Sequence, residues 1–295
     1  MKTAFIINPV AGRGRTAKIW PEIEAAMKSA GEAGDPYFTG GPGDAERLGR
    51  ELPQQGYQRL LVLGGDGTVH GVLNGLEMEK AQIGILPTGT GNDFCRVLGI
   101  SKQPKEALMQ LLQGTTKKVD IGLVNGRRFL NTIGVGFDAE VVRTTNEEYR
   151  QLKGTLAYVA SLIKVLAKYR NQHLTIETET ATFSGKMLLA AVGNGQYVGG
   201  GMQLLPKAEI DDGVFHLCLL GDVSKAEVLF NMPKIFSGNH LSHPKVSTLT
   251  ARKIVINCRR PLTVQADGEI IGETPVEVNI LPQALEILVP KTVKI

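Results

Sequence analysis

Five consecutive residues, Gly64-Gly65-Asp66-Gly67-Thr68, combine glycines, one carboxylate and one hydroxyl, and they follow the apolar run Arg59 to Leu63. Glycine adopts positive φ and lets main-chain N–H groups approach an anion with no side chain in the way. A helix starting near Val69 would aim its N-terminus at the same anion. Asp66 beside a phosphate is repulsive unless a cation lies between them. The loop therefore reads as a phosphate cradle with Asp66 as a Mg²⁺ partner, directly or through water. A tight turn with a solvated aspartate is the plain alternative. Two further loops carry related chemistry: Pro87-Thr88-Gly89-Thr90-Gly91-Asn92-Asp93-Phe94 after Ile83 to Leu86, and Asn8-Pro9-Val10-Ala11-Gly12-Arg13-Gly14 after Thr3 to Ile7. The stretch Gly12 to Thr16 has neither the lysine nor the glycine spacing of a Walker A loop, and it is not a G-x-G-x-x-G fingerprint.

These loops need strands to carry them. Apolar runs Thr3–Ile7, Arg59–Leu63 and Ile83–Leu86 alternate with helical patterns: Trp20, Ile23, Met27 and Ala30; Leu48 and Leu52; Val69 to Leu76; and Lys105 to Leu112 with Leu108, Leu111 and Leu112 inward. That βαβ rhythm predicts an open parallel sheet, whose C-terminal edge binds ligands. Near Asp120 the rhythm changes. Ile121–Val124, Asn125-Gly126 and Phe129–Val135 read as a hairpin. A long helix from Thr155 to Tyr169 groups Leu156, Val159, Ile163 and Leu166 on one face. Strands are expected at His173–Glu177, Lys186–Val192, Val214–Leu220, Lys253–Asn257, Leu262–Ala266, Pro275–Ile280 and Leu285–Val289, with a helix from Lys225 to Phe236 behind the capping-box pair Ser224 and Glu227. The fold class is an α/β N-terminal domain with an open Rossmann-like sheet, then a C-terminal β-sandwich with added helices. The boundary falls near residue 121.

The 295 residues suffice for two cores. A net charge of +4 suits phosphates or an anionic surface, but with 5% aromatic residues it does not argue for nucleic acid. Cys95, Cys218 and Cys258 show no metal or disulfide spacing, which points to a reducing compartment. The expectation is a soluble cytoplasmic protein with no signal peptide and no transmembrane segment. Five histidines give no ligand pair; His240 and His243 read as surface residues.

The GGDGT loop, the PTGTGNDF loop and the N-terminal NPVAG loop together resemble the diacylglycerol kinase catalytic-domain family, which includes bacterial lipid kinases and sphingosine kinases. The resemblance spans the chain, through Gly134-Val135-Gly136-Phe137-Asp138-Ala139, Gly193-Asn194-Gly195, Gly199-Gly200-Gly201-Met202, Pro206 to Gly213 and Asp267-Gly268-Glu269. NAD kinases and phosphofructokinases are similar in the N-terminal domain and carry a related glycine loop. The PTGTGNDF form looks like the lipid-kinase branch.

The resemblance implies ATP between two domains, 1–121 for ATP and 122–289 for the lipid, with about 290–295 returning to the first. It implies nucleotide contacts at Asn8, Pro9, Val10, Ala11, Gly12, Thr39, Gly65, Asp66, Gly67, Thr68, Val69, His70, Gly71 and Thr90. Thr39 by itself reads as a turn residue. Asp66, Asp93 and Asp120 match acidic positions near the phosphates, where a Mg²⁺–water network is expected. A helix N-cap for Asp93 and a strand-end turn for Asp120 remain open. Glu269 matches the family's general base, although Asp-Gly is also a hairpin signal. Glu209 and Val214 by their carbonyls and Asp212 by its carboxylate match a structural metal position; a turn before a strand is the alternative. The expected reaction is ATP- and Mg²⁺-dependent phosphorylation of a lipid hydroxyl, diacylglycerol to phosphatidic acid, with peripheral contact at the membrane surface and compatible with a homo-oligomer. The helices at Thr155–Tyr169 and Lys225–Phe236 fit either interfacial contact or core packing. The alternatives are a kinase of a soluble acceptor such as NAD and a nucleotide-binding regulator without turnover.

Overall fold

Unbroken apolar runs bury both faces of a strand, so they form the middle of a parallel sheet. In the computed structural model, which describes residues 1–149 and 154–291, such runs form β1 (Thr3–Ile7), β3 (Arg59–Gly64) and β4 (Gln82–Pro87). The chain divides into two compact units, one made of Met1–Val119 with the stretch from Gln283 onward, the other of Asp120–Pro282. Of the terminal segment 290–295, residues 292–295 lie outside the described residues.

In the first unit the sheet order is β2-β1-β3-β4-β16, and each of these pairs is parallel. β2 (Asp35–Phe38) was not expected. It is an edge strand with a mostly exposed pattern, so it lacks an apolar run. The helices are α1 (Ala11–Ser29), α2 (Asp44–Gln54), α3 (Asp66–Gly75), α4 (Asp93–Val97) and α5 (Pro104–Leu112). α1 buries Trp20, Ile23 and Met27 as expected, and also Thr16 and Ala26, while Ala30 follows its end. Its first turn is irregular, with positive φ at Gly12, Arg13 and Gly14. α3 begins three residues earlier than expected, so Asp66, Gly67 and Thr68 form its first turn. α4 was too short to show periodicity. In α5, Leu112 is only half-buried, while Ala107, Leu108 and Leu111 face the core.

The second unit contains the expected sandwich. β5 (Thr115–Val124) enters it from the first unit. It turns at Asn125 and Gly126, both at positive φ, into β6 (Arg127–Phe129). The hairpin stops there. β7 (Thr132–Gly136) belongs to the other sheet, which corrects the single strand expected over Phe129–Val135. Next come α6 (Phe137–Glu148), which was not expected, α7 (Gly154–Lys168), β8 (Gln172–Thr178), β9 (Thr182–Met187), β10 (Leu189–Gly193), β11 (Phe215–Leu220) and α8 (Lys225–Asn231). Two 3₁₀ turns, Met232–Ser237 and Asn239–Ser242, replace the rest of the helix expected to Phe236. β12 (Val246–Ala251), β13 (Lys253–Cys258), β14 (Thr263–Ala266), β15 (Glu269–Glu273) and β16 (Val276–Val289) complete the chain, the last a single strand where two were expected. One sheet of this unit runs β16-β13-β8-β9. The other is antiparallel, in the order β12-β11-β10-β7-β14-β15. Phe129, Ile133, Val135, Ile176, Val192, Phe215, Ile254 and Val278 form one core cluster. A second cluster joins α6 and α7 to the second sheet through Phe137, Leu162, Leu166, Leu188, Ala191 and Cys218. The buried face of α7 is therefore Ala157, Ser161, Leu162 and Leu166, whereas Leu156 and Ile163 of the expected face are 73% and 50% exposed.

Candidate active site

Strand order 2-1-3-4 reverses direction between β1 and β3, and a parallel sheet opens a crevice at the C-terminal ends of such a pair. The glycine loops meet at this edge. Asn8, just past β1, donates from Nδ2 to the Thr68 hydroxyl at 2.9 Å, and its Oδ1 accepts the Val10 N–H at 3.2 Å. The Thr88 N–H donates to Gly64 O at 2.9 Å, and the Thr16 and Thr88 hydroxyls share a buried 2.6 Å hydrogen bond. Gly65 and Gly89 touch through their backbones, since a Cβ on Gly89 would lie 2.5 Å from Gly65 Cα. A Cβ on Gly12 would collide with Thr88 O. These glycines are thus required for the three loops to approach one another.

The two acidic site positions expected in this unit, Asp66 and Asp93, converge. A Cβ on Gly91 would be 2.9 Å from Asp66 Oδ2 and 3.6 Å from Asp93 Oδ2. Asp66 Oδ2 accepts the Asn92 N–H at 2.8 Å and lies in the first turn of α3, where the helix dipole favours negative charge. Asp93 is not an N-cap: Asn92, at φ 50°, holds that position, and Asp93 follows as the first helical residue, with Arg96 Nε 3.9 Å from its Oδ1. Burial, and then the charges of Asp66 and Asp93, push the Cys95 thiol well above its ordinary range. Two carboxylates beside glycine N–H groups fit a divalent cation bridging to phosphate.

The other expected nucleotide positions divide by exposure. Val10, Gly67 and Thr90 are exposed; Pro9, Ala11, Gly12, Thr39 and Gly65 are half-buried; Val69 and His70 are buried, so their side chains belong to the core. The Thr39 N–H donates to Ile7 O at 2.9 Å, which brings it to the same sheet edge. Gly71 packs on α2, where a Cβ would come 2.9 Å from Ala45 Cβ.

In the second unit, Asp120 is fully buried within β5, not at a strand end, because Oδ2 accepts the Gly213 N–H at 2.7 Å and its own N–H donates to Ile210 O at 2.7 Å. Its carbonyl accepts from Asn194 Nδ2 at 2.8 Å, which donates also to Leu130 O at 3.1 Å. The Leu130, Asn131 and Thr132 N–H groups in turn donate to the Asp267 carboxylate at 2.7, 2.9 and 3.0 Å. Asp267 and Gly268, at φ 49° and 86°, make the tight turn that presents the exposed Glu269 at the start of β15. Asp120 and Glu269 are thus joined by one hydrogen-bonded framework. In the sequence Asn194 and Asp267 stand out only as parts of motifs. Their structural role depends on partners far away in sequence, and the polar Asn194 between Gly193 and Gly195 is the one local hint.

The carboxylate of exposed Asp212 accepts the Val214 N–H at 3.1 Å and lies 3.0 Å from His216 Nε2. Among the described residues no three metal-ligating side chains cluster. His240 is not a surface residue: it is 9% exposed, its Nε2 lies 3.0 Å from Leu204 O, and burial lowers its pKa.

An apolar cavity of about 100 Å³ opens in the second unit, lined by Leu162, Met202, Leu204, Val228, Met232 and Ile235 among others, with Asp138 and Tyr158 in its wall. Leu229, Phe230 and Phe236, adjoining this lining on α8 and the following turn, are 48%, 81% and 45% exposed.

Residues 2–124 match the family model described as diacylglycerol kinase catalytic domain, and residues 131–289 match the YegS C-terminal NAD kinase beta sandwich-like domain. The diacylglycerol kinase of Staphylococcus carnosus (strain TM300) is 32% identical, covering 99% of this chain and 96% of that one. That of Bacillus subtilis (strain 168) is 30% identical over 99% and 97%. The chain belongs to the diacylglycerol kinase family. The crystal structure of a diacylglycerol kinase from Bacillus anthracis str. Sterne superposes with a TM-score of 0.82 at 26% identity, covering 98% of this chain and 96% of that one. Membership makes this diacylglycerol kinase relative a phosphotransferase with the family's two-domain fold. Among its described residues no helix is long and apolar enough to cross a membrane.

Proposed function

We propose that this kinase transfers the γ-phosphoryl group of ATP to the hydroxyl of diacylglycerol, giving phosphatidic acid. The observation that carries the reading is the convergence of Asp66 and Asp93 on Gly91 beside the packed Gly65 and Gly89 backbones. Asn8–Gly12, Thr39, Gly65–Thr68 and Thr90 line the sheet edge that would take the nucleotide, with the N–H groups of the first turn of α3 as anion donors. Mg²⁺, held by Asp66 and Asp93, would neutralise charge on the phosphates. Glu269 accepts the hydroxyl proton as the new P–O bond forms and the bond to the ADP oxygen breaks. The Glu209–Val214 segment, in which Glu209 and Asp212 are exposed, would take a second, structural cation on the Asp212 carboxylate and the Glu209 and Val214 carbonyls.

The apolar cavity supports an acyl chain as part of the acceptor. Leu229, Phe230 and Phe236, with Lys225 and Lys234 on the same segment, suit contact with an anionic membrane surface. Labelled ATP offered with a panel of lipids in mixed micelles tests the reaction. Labelled phosphatidic acid is expected, and no labelled lipid under conditions where ATP binds overturns the reading. Glu269→Gln is expected to abolish turnover while leaving ATP affinity unchanged; a variant with full rate would remove the base assignment.

A further inference from the structure

A buried carboxyl lies where the apolar cavity meets the framework of the Glu269 turn. Asp138, on α6, is 4% exposed and contributes to the cavity wall. Its Oδ1 accepts the Tyr158 hydroxyl, and its Oδ2 accepts Gln265 Nε2 at 2.8 Å. Gln265, also buried, uses its other end on the turn: Oε1 accepts the Gly268 N–H at 2.9 Å. The amide has one orientation only, with NH₂ toward the carboxyl and oxygen toward the N–H donor. The Gly268 carbonyl accepts Asn146 Nδ2, again from α6, at 3.1 Å. Gly134 makes room for the arrangement, since a Cβ there would collide with the Asp138 carboxyl and come 2.9 Å from Gln265 Nε2. The residue immediately before Glu269 is therefore held at both its N–H and its carbonyl.

Tyr158 is the cavity-side end of this chain. It sits on α7, is half-buried and lines the cavity beside Leu162. Burial raises the Asp138 carboxyl above its ordinary range, and the bonds from Tyr158 and Gln265 oppose the shift. A buried polar chain of this kind costs desolvation, and when fully bonded it fixes one geometry.

We propose that Asp138 is a positioning residue that couples occupation of the apolar cavity to the orientation of the Glu269 turn, through Tyr158 on the cavity side and Gln265 on the turn side. The inference rests on the proposed lipid reaction and deepens it. An acyl chain in the cavity packs against Tyr158 and holds its hydroxyl on Asp138, and the fixed Gln265 amide then holds Gly268 and so Glu269. An acceptor with short chains does not add this contact to the cavity face of Tyr158.

The test compares dioleoylglycerol with dihexanoylglycerol in mixed micelles, using the wild type, Tyr158→Phe and Asp138→Asn. In the wild type kcat is expected to be higher with the long chains. In both variants the long-to-short ratio of kcat should fall toward one, by about fivefold to tenfold, while the KM for ATP is unchanged. A purely structural role would lower both acceptors alike; an unchanged ratio overturns the coupling. Hydrogen exchange over residues 267–270 gives a readout independent of turnover. Dioleoylglycerol should slow it in the wild type and not in Tyr158→Phe. Protection without phosphotransfer would sink the proposed reaction and leave the coupling standing. Phosphotransfer without protection would overturn the coupling alone.

Discussion

Asp267→Asn should destabilise the second unit by about 2–4 kcal/mol, a figure built from its bonds. The substitution is nearly isosteric, and asparagine tolerates the observed φ of 49° as aspartate does. In the native turn, Oδ1 accepts two N–H groups, at 2.9 and 3.0 Å, and Oδ2 accepts a third at 2.7 Å. Hydrogen bonds to a charged group contribute about 1.5–3 kcal/mol each, against 0.5–1.5 for neutral ones. Asparagine keeps two neutral bonds at best and turns an NH₂ toward the Leu130 N–H, where two donors meet. Asp267 is half-buried, so solvent screening brings the sum to the low end of its range. For a unit the size of Asp120–Pro282, the loss corresponds to a melting temperature lower by about 5–15 °C. Calorimetry reads the transition, and kcat measured well below it reads the turn, which lies two residues from Glu269. A shift under about 2 °C with unchanged kcat would show that the three N–H groups do not depend on the charge, and the argument would fail.

Three further outcomes follow from the geometry. Gly89→Ala places a methyl group 2.5 Å from Gly65 Cα, so nucleotide affinity should fall by at least about tenfold while the second unit melts unchanged, read by titration calorimetry and thermal scan. Asp66→Asn should raise the Mg²⁺ concentration needed for half-maximal rate more than any other single carboxylate change, and a metal titration that does not move would refute its role. The raised Asp138 carboxyl makes stability fall as pH rises from its ordinary value of 3.8 through its folded value, because only the unfolded chain ionises in that window. Asp138→Asn should remove that slope; melts from acid to neutral pH that stay parallel to the wild type would contradict it.

The parts legible in the sequence are those fixed by neighbours along the chain. The glycine loops, the strands that bear them and the Ser224–Glu227 capping box are local patterns, and the box closes through the Glu227 N–H to Ser224 Oγ at 3.2 Å. β2 and β15 were missed because their residues are largely exposed and carry no apolar run. The face of α7 was misplaced because Leu156 and Ile163 look like core residues by type yet stand in solvent. By sequence Asp120 stands as an acidic position near the phosphates, or else a strand-end turn, and Asp267 as part of the Asp267-Gly268-Glu269 motif. Their partners lie up to 137 positions away, and no spacing rule reaches that far.

The late pairing of β16 with β4 has a consequence for synthesis. Ile287 pairs with Ile83, and Leu288 packs 2.9 Å from where a Gly84 Cβ would be, so the first unit closes its sheet with residues made after the whole of the second. Until then, β4 presents a strand edge of buried-type residues, open to pairing with another chain. A nascent or truncated chain stopping at Pro282 holds every glycine loop of the first unit and still carries that unprotected edge, so such fragments should self-associate through β4, the edge that β16 covers in the full chain.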